Sequence, residues 1–123
     1  MTGLEISTQK VQDGVVAISI KGYLDAYTYD ELEQVINGYF NQHLYNLILD
    51  LSRVEYMSSG GAVVLARALG VAQENQGNIV LVRPQPNVKN VFDLLGLTHI
   101  FIITDNRESA LKTLIKKGGE KRR

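Results

Sequence analysis

Residues Leu47 to Leu69 read Leu-Ile-Leu-Asp-Leu-Ser-Arg-Val-Glu-Tyr-Met-Ser-Ser-Gly-Gly-Ala-Val-Val-Leu-Ala-Arg-Ala-Leu. The stretch opens on an apolar run, Leu47, Ile48 and Leu49, which resumes at Leu51 after the single carboxylate of Asp50. A run without strict alternation suits a strand bordered by other strands and covered on at least one face. A second apolar patch, Val54, Tyr56 and Met57, leads into Ser58, Ser59, Gly60 and Gly61. Past the glycines, Ala62, Leu65, Ala66 and Leu69 recur at helical spacing. The spacing predicts a strand over 46–51, a short link, a serine-glycine turn and a helix over about 59–75. Two small hydroxyls stand at the helix start, where free backbone N–H groups and the positive end of the helix dipole gather. Chemistry is expected there before anywhere else.

Outward from that unit, the chain of 123 residues fits one domain and is long enough to bury a core. No apolar stretch approaches the roughly 20 residues of a membrane helix, and no basic-then-apolar export signal opens the sequence, so a cytoplasmic protein is expected, without membrane insertion. There is no cysteine, and His43 and His99 share no ligand spacing, so neither a disulfide framework nor a metal site is expected. The formal charge of zero is unevenly placed: five basic residues and one acid lie from Lys116 onward. A domain over 1–117 followed by a solvated, disordered basic tail at 118–123 accounts for this. Nucleic-acid binding is not expected, because no second basic patch or interleaved aromatics accompany the tail.

Residues 4–9 alternate as a half-buried strand, Asp13 and Gly14 mark a turn, and Val15 to Ile20 follow as a second strand, making a hairpin that Gly22 ends. Leu32, Val35, Ile36, Tyr39 and Phe40 form the stripe of an amphipathic helix, with Asp30 and Glu31 in its first turn and Thr28 as its N-cap. Gly77 is placed to end the second helix in a left-handed cap. Ile79 to Val82 is another buried strand. Asn87 is expected to cap a short helix that Gly96 closes, Ile100 to Ile103 is a last strand, and Asp105 with Glu108 opens a final helix ending at Gly118 and Gly119. The order ββαβαβαβα predicts an α/β fold with a mixed, mostly parallel sheet, the opening hairpin antiparallel at one side, and helices packed on the sheet. Leu49, Leu65, Leu69, Val80, Leu81, Phe92 and Leu95 are expected in the core.

Serine catalysis needs a base within hydrogen-bond reach. Neither histidine is aimed at Ser58 or Ser59, and no Gly-x-Ser-x-Gly elbow is present. A carboxylate pair of Asp25 and Asp50 is outweighed by ordinary loop and strand-end roles. Gly60 and Gly61 sit at a helix start, yet no phosphate-loop motif accompanies them. The residues alone leave a capping role and a functional role for the serines both open.

The segment Val54 to Leu65, Val-Glu-Tyr-Met-Ser-Ser-Gly-Gly-Ala-Val-Val-Leu, resembles the signature of STAS domains, the bacterial anti-sigma factor antagonists. There an apolar pair is followed by Asp-Ser or Ser-Ser, a small residue, Gly and a helix. Gly22 to Ala26, Leu49 to Ser52, Gly77 to Val82, Val88 to Leu97 and Ile100 to Asp105 resemble further family segments in the same order. The resemblance implies a STAS-like fold and a non-enzymatic binding function without a cofactor. The implied partner is an anti-sigma factor that is also a serine kinase, and phosphorylation of the second serine dissociates the pair. Aligned without gaps that acceptor is Ser59, whereas a one-residue gap would make it Ser58. Asp25, Ser58, Ser59, Gly60 and Gly61 are the implied partner-binding residues, and a monomer is expected. Ser58 stands where many members carry Asp, and Ala62 replaces the usual Leu. Two other readings stay open: a STAS subunit of a transporter or sensory complex with a vestigial serine, and a small serine hydrolase or nucleotide-binding α/β protein using Ser59.

Overall fold

The structure is a computed structural model that describes the backbone of residues 3–121 and the side chains of residues 3–115. Its elements run β1 (Leu4–Lys10), β2 (Val15–Leu24), α1 (Tyr29–Phe40), β3 (Asn46–Met57), α2 (Ser59–Glu74), β4 (Asn78–Val82), α3 (Pro86–Leu94), β5 (Ile102–Thr104) and α4 (Arg107–Lys121). The five strands form one sheet in the order β1-β2-β3-β4-β5. β1 is antiparallel to β2 and every other neighbouring pair is parallel, so the expected mixed α/β sheet of order ββαβαβαβα is present with β3 at its centre.

Side-chain alternation divides the sheet into two faces. Val16, Ile18 and Ile20 of β2 with Leu47, Leu49 and Leu51 of β3 pack against α1, α2 and α3 through Leu32, Ile36, Leu65, Leu69, Val88 and Phe92. The opposite face, with Val15, Ala17, Ile48, Val80 and Val82, is covered by α4 through Ala110 and Leu114. Six of the seven expected core residues are buried. Leu95 is not: it is 40% exposed. It is the C-cap of α3, Gly96 turns the chain at φ +71°, and the half-buried Leu97, whose N–H bonds Phe92 O at 2.8 Å, packs against the core.

Two strands run further than the sequence pattern indicated. β2 continues through Gly22 to Leu24, because a residue without Cβ can hold φ +110° there, where a side chain would stand 2.5 Å from the Gly3 carbonyl. β3 continues from Asp50 to Met57, so the expected link after Leu51 is strand. Ser19 pairs with Asp50 but Lys21 with Arg53, and Gly22 pairs with Val54 but Tyr23 with Tyr56. Each step inserts one extra β3 residue, a bulge that brings Leu51, Val54 and Met57 to the same face at intervals of three.

Several termini shift for local reasons. At the end of α2 it is Gln76 that adopts the left-handed conformation, at φ 64°, and Gly77 is needed for space: a Cβ there would meet Tyr45 O at 2.1 Å. α3 starts at Pro86 after Gln85, so Asn87 lies inside the helix and is not its cap. Gln85 and Asn87 instead donate side-chain amides to Ser52 O (2.9 Å) and Glu55 O (2.8 Å), carbonyls in the half of β3 that β4 does not reach. β5 begins at Ile102, leaving Ile100 in an exposed turn. The side chain that bonds the first turn of α4 is Asn106, whose Oδ1 accepts the Ser109 N–H at 2.8 Å, so Asp105 and Glu108 form no capping box. The α4 backbone stays helical through Gly118 and Gly119 to Lys121, which corrects the expected helix end at those glycines; residues 122 and 123 of the expected tail lie outside the described chain.

Candidate functional site

Leu24 pairs with Met57 at the ends of β2 and β3, so Asp25 and Ser58 leave the sheet side by side. The Ser58 N–H bonds Leu24 O at 2.9 Å, which ties the two strand ends together beyond their last pair. Ser58 then takes an extended conformation (φ −81°, ψ 164°) and serves as the N-cap of α2, its Oγ accepting the Gly61 N–H at 3.1 Å. The cap occupies one of the otherwise unpaired donors at the helix start. Ser58 is consequently half-buried and its hydroxyl is engaged.

Ser59 is the first residue of α2. It is exposed, and its hydroxyl has no hydrogen bond to another described residue. Gly61 is buried where a Cβ would lie 2.9 Å from Leu24 O and 3.0 Å from Leu24 Cγ, so only glycine lets α2 settle on the end of β2. Gly60 is exposed, with the edge of the Tyr29 ring 3.5 Å from the position its Cβ would take. Ala62 is fully buried in the core beneath. The result is an exposed hydroxyl on a first turn that cannot easily move.

Asp25 organises the facing turn. Its Oδ1 accepts the Tyr27 N–H at 2.9 Å and lies 3.3 Å from the Thr28 hydroxyl oxygen, and its carbonyl accepts the N–H groups of Thr28 and Tyr29. Thr28 occupies the N-cap position of α1 without capping it through its side chain. Its buried Oγ1 instead donates to Tyr23 O at 2.7 Å and accepts the Asp25 N–H at 3.0 Å. The residues singled out from the sequence, Asp25, Ser58, Ser59, Gly60 and Gly61, therefore come together at one end of the sheet.

Asp50 is elsewhere. It lies seven residues back along β3, about 20 Å by the rise of a strand. Burial pushes its carboxyl pKa up, but bonds from the Ser52 hydroxyl (2.6 Å), the Ser52 N–H (3.0 Å) and Arg107 (3.4 Å) outweigh burial and hold it below the ordinary value. Arg107 also bonds the Ser19 hydroxyl, so this network pins the start of α4 to the sheet. His43 and His99 are exposed loop residues, and neither has a bond to a site serine. Among the described residues no group of His, Cys, Asp or Glu could hold a metal ion, and no helix is long and apolar enough to cross a membrane.

The sequence pattern did not single out the aromatic surroundings. Tyr23 and Tyr56, partners in register, are exposed with ring centroids 5.9 Å apart, and Tyr27 in the turn after β2 and Val63 in α2 are exposed as well. Three tyrosines between residues 23 and 29 were the available signal, but which of them leaves the core depends on the length of β2.

Residues 7–110 match the family model described as STAS domain. BtrV, a candidate anti-sigma factor antagonist of Bordetella bronchiseptica, is 27% identical over 107 residues, covering 87% of this chain and 91% of that one. A solved anti-sigma factor antagonist from Mycobacterium paratuberculosis superposes with a TM-score of 0.81 at 27% identity, covering 91% of this chain and 94% of that one. The unphosphorylated form of the anti-sigma factor antagonist SpoIIAA shares the fold with a TM-score of 0.80 at 21% identity, covering 91% and 97%. With the five-stranded sheet, four helices and serine-glycine turn in place, the chain belongs to the STAS domain family.

Proposed function

We propose that this chain is an anti-sigma factor antagonist: it docks on an anti-sigma factor with serine kinase activity and is released when Ser59 is phosphorylated. One observation carries the choice of residue. The Ser58 hydroxyl is held in the helix cap, whereas the Ser59 hydroxyl is exposed and unengaged by any described residue. A kinase can reach Ser59 without breaking a cap worth about 1 kcal/mol. A phosphate at the first position of α2 meets the positive end of the helix dipole and local N–H groups, so the fold tolerates it. A partner that covers the same surface does not, since a charge of about −1.5 to −2 must be desolvated in the contact. Phosphorylation then switches binding and leaves the domain folded. Asp25, Gly60 and Gly61 shape the docking surface, and no chemistry is asked of them.

The test is to incubate wild type, Ser58→Ala and Ser59→Ala with the cognate kinase and ATP, then locate the phosphate by mass spectrometry. Modification retained in Ser58→Ala and lost in Ser59→Ala is the expected result. The reverse pattern would transfer the role to Ser58. Hydrolysis of ester or nucleotide substrates by the purified chain, abolished in Ser59→Ala, would replace the binding reading with an enzymatic one.

A further inference from the structure

Large exposed apolar side chains are unevenly spread over the molecule. Four of the eight in the described residues lie towards the Ser59 end of the sheet: Tyr23 and Tyr56 at the ends of β2 and β3, Tyr27 in the turn after β2, and Val63 in the second turn of α2. Tyr27 stands out at 93% exposure. Its backbone is nevertheless fixed: the Tyr27 N–H bonds Asp25 Oδ1, and the neighbouring Thr28 is buried with its hydroxyl bonded to Tyr23 O. The Tyr29 ring against Gly60 joins this turn to the first turn of α2, and Val63 lies one turn beyond Ser59 on the same side of that helix. A bulky aromatic with two side-chain torsions on a pinned turn contributes almost nothing to the fold and loses little freedom when it docks. Such residues dominate protein interfaces when they enter a desolvated pocket.

The charges around Tyr27 specify the other half. Asp25, Asp30 and Glu31 flank it in sequence, the cations of the two strands, Lys21 and Arg53, pair with each other in register further down the sheet than Tyr23 and Tyr56, and none of the three acids has an ion pair with a described residue. We infer that Tyr27 is the aromatic anchor of the Ser59 docking surface, seated in an apolar pocket of the protein partner whose rim carries Lys or Arg. The inference rests on the reading of Ser59 as the switch. Rim cations paired with these carboxylates in the unmodified complex are not free to welcome a phosphate at Ser59, so the anchor and the switch are compatible.

The probe is the purified anti-sigma factor kinase of the same organism, titrated against wild type, Tyr27→Ala, Tyr27→Phe, Ser59→Glu and Leu94→Ala. Leu94, 86% exposed at the end of α3, is the control for a bare apolar side chain away from the site. The expected result is binding weakened at least about tenfold by Tyr27→Ala, nearly retained by Tyr27→Phe and unchanged by Leu94→Ala. Thermal unfolding of all four variants should match wild type, and wild-type affinity should fall as salt is raised. Wild-type affinity in Tyr27→Ala, with Ser59→Glu weakened, would overturn the anchor and leave the switch standing. Equal losses in Tyr27→Ala and Leu94→Ala would also overturn it. No binding of this kinase by wild type would overturn both.

Discussion

Asn46–Asp50 and Leu51–Met57 belong to the same strand but are built to different rules. The first half lies between β2 and β4 in unbroken register and presents Leu47, Leu49 and Ile48 to the two covered faces. The second half pairs only with β2, carries both bulges and has two carbonyls bonded by Gln85 and Asn87 side chains from the start of α3. Regular pairing on both sides gives the first half its burial. Irregular pairing gives the second half its reach, carrying the chain seven residues past Asp50 to set Ser58 against Leu24. Both halves bury apolar side chains, Leu47, Ile48 and Leu49 in the first and Leu51, Val54 and Met57 in the second, but only the second places the site.

That division can be tested by substitution, beginning with the largest effect. Leu49→Ala, in the regular half, should cost roughly 2–5 kcal/mol in denaturant unfolding, because the side chain is fully buried and central. A loss below about 0.5 kcal/mol would show that the half is peripheral. Gly61→Ala should cost about 1–3 kcal/mol, since its methyl group would press on the Leu24 carbonyl and side chain. It should also weaken partner binding, which Leu49→Ala should do only through loss of folded protein. Ser58→Ala should cost about 1 kcal/mol by leaving the Gly61 N–H without its cap.

The smallest effect belongs to Asp50, at the junction of the halves. Its folded pKa is depressed, so its contribution to stability is complete above the unfolded value and is lost as pH falls through the folded one. Thermal unfolding of Asp50→Asn should show a small deficit at neutral pH that closes in acid. A deficit that persisted unchanged at pH 2 would mean that packing at this position outweighs its charge.

The same contrast explains what could be read from the amino acids. Leu47–Leu49, Ile79–Val82 and the helical stripe from Leu32 to Phe40 follow the periods of strand and helix, and their placement followed from them. Leu51, Val54 and Met57 are spaced by three, a spacing that bulges produce and that no regular strand shows, so the second half of β3 read as a link. The serine turn was legible because capping and close packing require small residues at fixed positions. Two rules failed at helix starts, for Asn87 and Asp105, since a neighbouring Pro86 and Asn106 fitted those starts better. The half-buried Asp50–Ser52–Arg107 network and the exposure of Tyr27 depend on tertiary neighbours far apart in sequence, which no local pattern carries.

A phosphate on Ser59 is proposed to alter binding without altering the fold. The direct measurement is the affinity of the phosphorylated and unphosphorylated chain for the kinase partner, with circular dichroism and thermal unfolding of both forms. The expected result is at least about a tenfold loss of affinity, near 1.4 kcal/mol, between two forms with the same spectrum and closely similar melting temperatures. Equal affinity of the two forms, or a loss that accompanies unfolding of the phosphorylated chain, would contradict it.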